Sequence, residues 1–165
     1  MATINIKPLL QRDYGEAQDC TLVSILTLLQ KEKSSINLAS AYAVIESAAK
    51  QYFYNGEKWG TFPLFIKQIM KKSYDALGIK REFHVRYAKG VGYNFNTVKN
   101  LIDRNIPIVL SMFSDGVGKY SNHSVVIMGY DERTKEFIIY DNWTTTPHRI
   151  KYNKICVISC INWAE

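Results

Sequence analysis

No apolar run in the sequence comes near the roughly 18 to 20 residues that a bilayer-spanning helix requires, so a membrane span is excluded from the reading. Residues 1–14 also lack the charged-then-apolar pattern of a secretion signal. The expected location is therefore cytoplasmic, or secreted if a leader has been removed. Only 4 prolines and 9 glycines punctuate the 165 residues. Neither is concentrated in a linker, and no repeat recurs. The expectation is a single domain over 1–165, a size that buries a substantial core without help from metal or disulfide. The 3 cysteines, Cys20, Cys156 and Cys160, are an odd number at spacings that suit neither a disulfide framework nor a zinc site. At least one thiol must be free, and no metal is called for.

What is present is ordinary for a globular chain, with 47% hydrophobic and 22% charged residues. The 21 Lys and Arg exceed the 15 Asp and Glu, giving +6. The basic residues nevertheless fall in short groups such as Lys71-Lys72 and Lys80-Arg81, not along a stripe that would follow phosphates. No nucleic-acid partner is expected. The glycines of the segments Lys89 to Tyr93 and Asp115 to Tyr120 lack the spacing of a phosphate-binding loop, so no nucleotide or other cofactor is expected either.

Periodicity changes midway along the chain. Cys20 to Gln30 places apolar residues around most of a helical wheel, so that helix must be buried, and Asp19 stands where an N-cap belongs. Leu38 to Tyr54 and Pro63 to Leu77 read as two further helices, the second opened by proline and stopped by Gly78. Beyond Gly78 the pattern turns to alternation. Strands are predicted over Ile79 to Tyr87, Ile106 to Phe113, His123 to Tyr130 and Phe137 to Tyr140, with a short helix over Asn96 to Arg104. Arg149 to Tyr152 and Ile155 to Ile161 read as a terminal hairpin. The prediction is an α+β fold, with a helical half over about 1–78 packed on an antiparallel β-sheet over about 79–165.

Cys20 sits at the start of the buried helix, where free N–H groups and the helix dipole favour a thiolate. Taken alone, free cysteine is more often core filling. A thiol nucleophile needs an imidazole to carry its proton, and that imidazole needs an acceptor to fix its tautomer. His84 falls inside a strand pattern and His148 in a polar turn, whereas His123 opens the run SVVIMGY after a polar loop. If residues 131–135 form a five-residue hairpin loop, position 125 faces 141. His123 and Asp141 then share one face as diagonal neighbours about 7–8 Å apart, with Trp143 opposite His123 to shield them. A loop of two or four residues would reverse that parity.

The order of a cysteine at a buried helix start, HSVVIMGYD and then FIIYDNW resembles the papain-like cysteine peptidase superfamily. It is most similar to the bacteriocin-leader peptidase domains of ABC exporters and their stand-alone relatives. The resemblance implies a catalytic triad of Cys20, His123 and Asp141 and a peptide or protein substrate cleaved through a thioacyl intermediate. It also implies a glutamine amide in the oxyanion hole. Papain-like enzymes carry that glutamine six residues before the cysteine, where this chain has Tyr14. Gln11 is the candidate if the loop DYGEAQ bulges, with Gln18 as the alternative. Asp19-Cys20-Thr21 also resembles the opening of cell-wall amidases and endopeptidases. A binding module that has lost turnover on the same scaffold is the non-enzymatic alternative. The aromatic group from Tyr52 to Phe65 suits core packing better than a groove lining.

Overall fold

The computed structural model describes residues 1–15 and 17–165. Its four helices are α1 (Cys20–Glu32), α2 (Leu38–Lys50), α3 (Ile66–Ala76) and α4 (Phe95–Asp103). The strands are β1 (Ala2–Thr3), β2 (Phe83–Tyr87), β3 (Ile108–Ser114), β4 (Ser121–Asp131), β5 (Glu136–Tyr140), β6 (His148–Lys151) and β7 (Ser159–Ala164). The strands form one antiparallel sheet in the order β2-β7-β3-β4-β5-β6. The short β1 joins β4 at Gly129 and Tyr130, beyond the reach of β3, whose pairing with β4 begins at Ile127.

The apolar wheel of α1 explains its central place. Leu22, Val23, Ile25, Leu26 and Leu29 are all buried, and each such side chain stabilises the fold by roughly 1.5–3 kcal/mol. Two buried hydroxyls of this helix are satisfied within it: Ser24 donates to the Cys20 carbonyl at 2.8 Å and Thr27 to that of Val23 at 2.9 Å. One side of α1 meets α2 and the other lies on β3 and β4, so its first turn opens over the middle of the sheet.

The α+β class and the division into helical and β-rich halves agree with the prediction. Several boundaries differ for identifiable reasons. The second helix stops at Lys50, four residues before Tyr54, and Phe53 turns the chain with φ of 62°. The first strand of the second half starts at Phe83 instead of Ile79. The predicted terminal hairpin does not form. β6 lies at the sheet edge on β5, while β7 crosses back to insert between β2 and β3. Ile161, Cys160 and Asn162 are all buried there, and an edge position would have left one row of this strand's backbone N–H and C=O groups without ladder partners.

The β4–β5 hairpin reaches the expected register by another route. Asp131 pairs with Glu136, which makes the loop four residues, 132–135, and by itself would turn His123 to the wrong face. A β-bulge between Ile127 and Gly129 inserts one extra residue and restores parity, so that Val126 pairs with Tyr140. Gly129 suits that position because a Cβ there would lie 2.5 Å from the Ala2 carbonyl oxygen.

Candidate active site

Cys20 is the first residue of α1, and its half-buried side chain lies against Ser124 of β4. The Thr21 and Ser124 hydroxyls are themselves hydrogen-bonded at 2.7 Å, so the helix start and the strand are tied together beside the sulfur. Burial pushes the Cys20 thiol above its ordinary pKa, and hydrogen bonds from Ser124 and Thr21 oppose this without cancelling it. The thiol therefore rests neutral, contrary to the bias toward the anion expected of a helix start.

Asp19 occupies the cap position but makes no side-chain cap hydrogen bond. Its carboxylate accepts from the hydroxyls of Tyr42 on α2 and Tyr54 beyond it. Burial, and then these bonds to Asp19, raise both phenols well above the tyrosine range. The residue preceding the thiol thus anchors the helix start to the helical half.

His123 is only 4% exposed and follows Asn122, whose φ is 46°. Its Nε2 lies 2.8 Å from the main-chain oxygen of Asp141. A carbonyl only accepts, so Nε2 carries the hydrogen and Nδ1 holds the lone pair of the neutral ring. Burial lowers the pKa of His123, while the bond to the Asp141 main chain and the Asp141 charge pull it back up. Trp143 covers the ring with centroids 4.2 Å apart, and Tyr120 stacks on it at 5.5 Å. Trp143 reaches the ring although it has left the strand and has no partner in the ladder.

Asp141 meets His123 through its main chain, and its carboxylate is engaged elsewhere. Oδ1 accepts from the backbone N–H groups of Trp143 and Thr144, each at 3.0 Å, and Oδ2 accepts from the Tyr120 hydroxyl at 3.0 Å. Burial raises the pKa of this acid, but these donors and the nearby His148 outweigh it and hold Asp141 below the usual carboxylate range. His148 reaches Oδ2 at 3.2 Å. The third histidine, His84, stacks on Trp163 at 5.1 Å and contacts Glu165 at 3.1 Å.

The structure therefore joins His123 to Asp141 and places Cys20 against Ser124, the residue next to His123. No hydrogen bond connects Cys20 with His123 among the described residues. Gln11 is buried and donates from Nε2 to the Ala17 carbonyl at 2.7 Å, while its backbone N–H donates to Asn142 at 2.8 Å. The expected bulge before Cys20 includes residue 16, which lies outside the described residues. Gln18 lines the cleft that contains Cys20.

Sequence reasoning overlooked Asn142. Its amide nitrogen donates to the Cys20 carbonyl at 3.1 Å, to Ser24 Oγ at 2.8 Å and to the Ser124 carbonyl at 3.1 Å. Lying between Asp141 and Trp143, it clamps helix to strand from a backbone with φ of 65°. An Asn after a strand-ending Asp was the available signal, and it reads equally well as a turn.

No group of three or more metal-ligating side chains occurs among the described residues, and no described helix is long and apolar enough to cross a membrane. The fold is shared with the peptidase domain of Streptococcus ComA, a bi-functional ABC transporter involved in quorum sensing. That comparison has 16% identity and a TM-score of 0.54 over 98% of this chain and 97% of that one. It is shared also with a putative C39-like peptidase from Bacillus anthracis, with 14% identity and a TM-score of 0.67 over 100% of this chain and 98% of that one. No curated protein matches the chain by sequence. A family model does match it, from residue 3 to residue 164. That span contains the helix-start cysteine, the strand-opening histidine and the aspartate after the next strand, and the chain belongs to the Peptidase_C39-like family.

Proposed function

We propose that this protein is a thiol hydrolase that cleaves a peptide or amide bond, with Cys20 as nucleophile, His123 as proton carrier and Asp141 as its orienting residue. The observation that carries the reading is the tautomer of His123. With Nε2–H committed to the Asp141 carbonyl, Nδ1 is the nitrogen left to accept a proton, as a general base next to a nucleophile requires. The sulfur lies one residue away along β4, against Ser124. A contact of this kind can be long without substrate and tighten when substrate binds.

Because thiol and imidazole both rest neutral, the first step is a concerted transfer. The Cys20 S–H proton moves to His123 Nδ1 as sulfur bonds to the substrate carbonyl carbon, and the carbonyl π electrons move to oxygen. The backbone N–H of Cys20, one of the unpaired donors of a helix start, and the Gln11 amide stabilise that oxyanion. Collapse expels the amine, which takes the proton from His123 and leaves a thioester. Water attacks the thioester as His123 removes its proton, releasing acid and regenerating the thiol.

The test is a thiol-directed activity probe. Labelling of Cys20 that is lost in His123→Ala supports a working pair, whereas slow labelling indifferent to that change refutes it. One observation favours a second reading, a peptide-binding module without turnover: the neutral thiol is not hydrogen-bonded to His123. The same experiment decides between the two.

A further inference from the structure

Neighbouring residues of β4 point to opposite faces, so Asn122 and Ser124 line the cleft beside Cys20 while His123 turns the other way, toward Asp141. Beyond Asp141 lies an imidazole that the hydrolytic steps leave unused. His148, the first residue of β6, sits at the edge of the sheet with its side chain 27% exposed. Its Nε2 is 2.7 Å from Thr144 Oγ1 and 3.2 Å from Asp141 Oδ2. Its Nδ1 is 3.2 Å from Lys119 Nζ.

The tautomer of this second ring follows from its partners. An ammonium only donates, so Nδ1 accepts from Lys119 and Nε2 carries the hydrogen. That hydrogen is donated to Thr144 Oγ1. The Thr144 hydroxyl in turn shares its own hydrogen between Asp141 Oδ1 and the Thr146 carbonyl, each at 3.3 Å. A line of donors thus runs from Lys119 through His148 and Thr144 to the carboxylate. Lys119 also lies 4.9 Å over the ring of Tyr120, whose hydroxyl donates to Asp141 Oδ2 and whose ring stacks on His123. Among the described residues the ionisable groups facing His148 are Lys119 and Asp141. Arg149, next on β6, turns instead to Asp131 and Glu136.

This line ends on the charge that acts on His123. Burial disfavours the imidazolium of His123 and the Asp141 charge favours it, so donors that satisfy the carboxylate weaken its pull on the ring. With both carboxylate oxygens engaged, the main-chain oxygen remains the acceptor for Nε2–H of His123.

Resting on the hydrolase reading for its catalytic consequence, we propose that His148 is a positioning residue, which through Thr144 and Asp141 damps the carboxylate charge and keeps His123 an unprotonated base in weak acid. Nitrogen NMR of the Cys20→Ala protein carrying isotope-labelled histidine reads this without turnover. His123 and His148 should both appear as Nε2–H tautomers. His148→Ala should raise the titration midpoint of His123 by about 0.5 pH unit, because an undamped carboxylate favours the imidazolium. His148→Gln keeps a donor and should restore the midpoint, whereas Thr144→Val should act as His148→Ala does. With Cys20 intact, the acid limb of kcat/KM reports the base of the free enzyme and should move with the midpoint. A midpoint unmoved in every variant, or moved equally by His148→Ala and His148→Gln, overturns the proposal. So does an Nδ1–H form of His148 at neutral pH. If the midpoint moves as expected while the wild type cleaves no peptide or amide, the coupling of His148 to His123 stands and the hydrolase reading falls.

Discussion

The two sides of the Cys20 thiol are built on different principles. On the His123 side every group is held by directed hydrogen bonds: the imidazole to the Asp141 carbonyl, and the Asp141 carboxylate to Trp143, Thr144 and Tyr120. On the cleft side, exposed apolar walls stand over a floor of short side chains. The first arrangement fixes a tautomer and tolerates little displacement. The second supplies non-directional contact area and accepts many shapes. The two sides thus differ in kind across one residue, and substitutions on them should fail in different ways.

The sharpest contrast comes from the thiol itself. Cys20→Ala should abolish hydrolysis of every peptide while leaving thermal unfolding close to wild type, as followed by product release and circular dichroism. Activity retained in full would remove Cys20 from the chemistry. His123→Ala should lower kcat by about 10²–10⁴, the usual contribution of a positioned general base, with KM much less affected. A comparable change in KM alone would move His123 into substrate binding.

Asp141→Asn should be milder, about tenfold in kcat, because the acceptor that holds His123 is the main-chain oxygen and the carboxylate acts on the ring through its charge. A loss equal to that of His123→Ala would show that the carboxylate turns to the ring during turnover. Asn142→Ala removes the amide that donates to Cys20 and Ser24 on α1 and to Ser124 on β4 and should cost about 1–3 kcal/mol in denaturant unfolding. An unchanged midpoint would mean that the clamp is dispensable.

The smallest effect is the pH dependence of stability. Burial holds the folded His123 below its ordinary pKa, which for histidine is about 6.5. The unfolded chain therefore takes up this proton first. The contribution is present in full above about pH 6.5 and is lost as pH falls toward the depressed folded value. His123→Gln should flatten the slope of stability against pH over that range, and an unaltered slope would assign it to other groups.

The residues of the candidate site were legible because chemistry constrains residue type and order. A cysteine at the start of an apolar helix, a histidine opening an apolar strand and an aspartate closing the next were each marked by local pattern. Two errors in the predicted hairpin, a five-residue loop and an unbroken ladder, cancelled. The four-residue loop and the bulge between Ile127 and Gly129 together leave Val126 opposite Tyr140, as a simple hairpin with a five-residue loop would. Nothing in the strand pattern announces that bulge, because apolar residues on both of its flanks are buried. The aromatic group divides as well. Tyr52 and Phe65 pack together with centroids 5.6 Å apart, as expected of core residues, whereas Trp59 and Phe62 line the cleft.

The sequence by itself determined the class of fold, the buried first helix and the three residue types from which a thiol site can be made, since periodicity and residue chemistry are local properties of the chain. Only the tertiary structure decided that β7 inserts between β2 and β3, that Asn142 joins helix to strand, and that His123 is held by a carbonyl while its neighbours Asn122 and Ser124 line the opposite side. Those outcomes depend on pairings and burial between segments far apart in sequence, where each strand's register is set by surfaces that the strand does not itself contain.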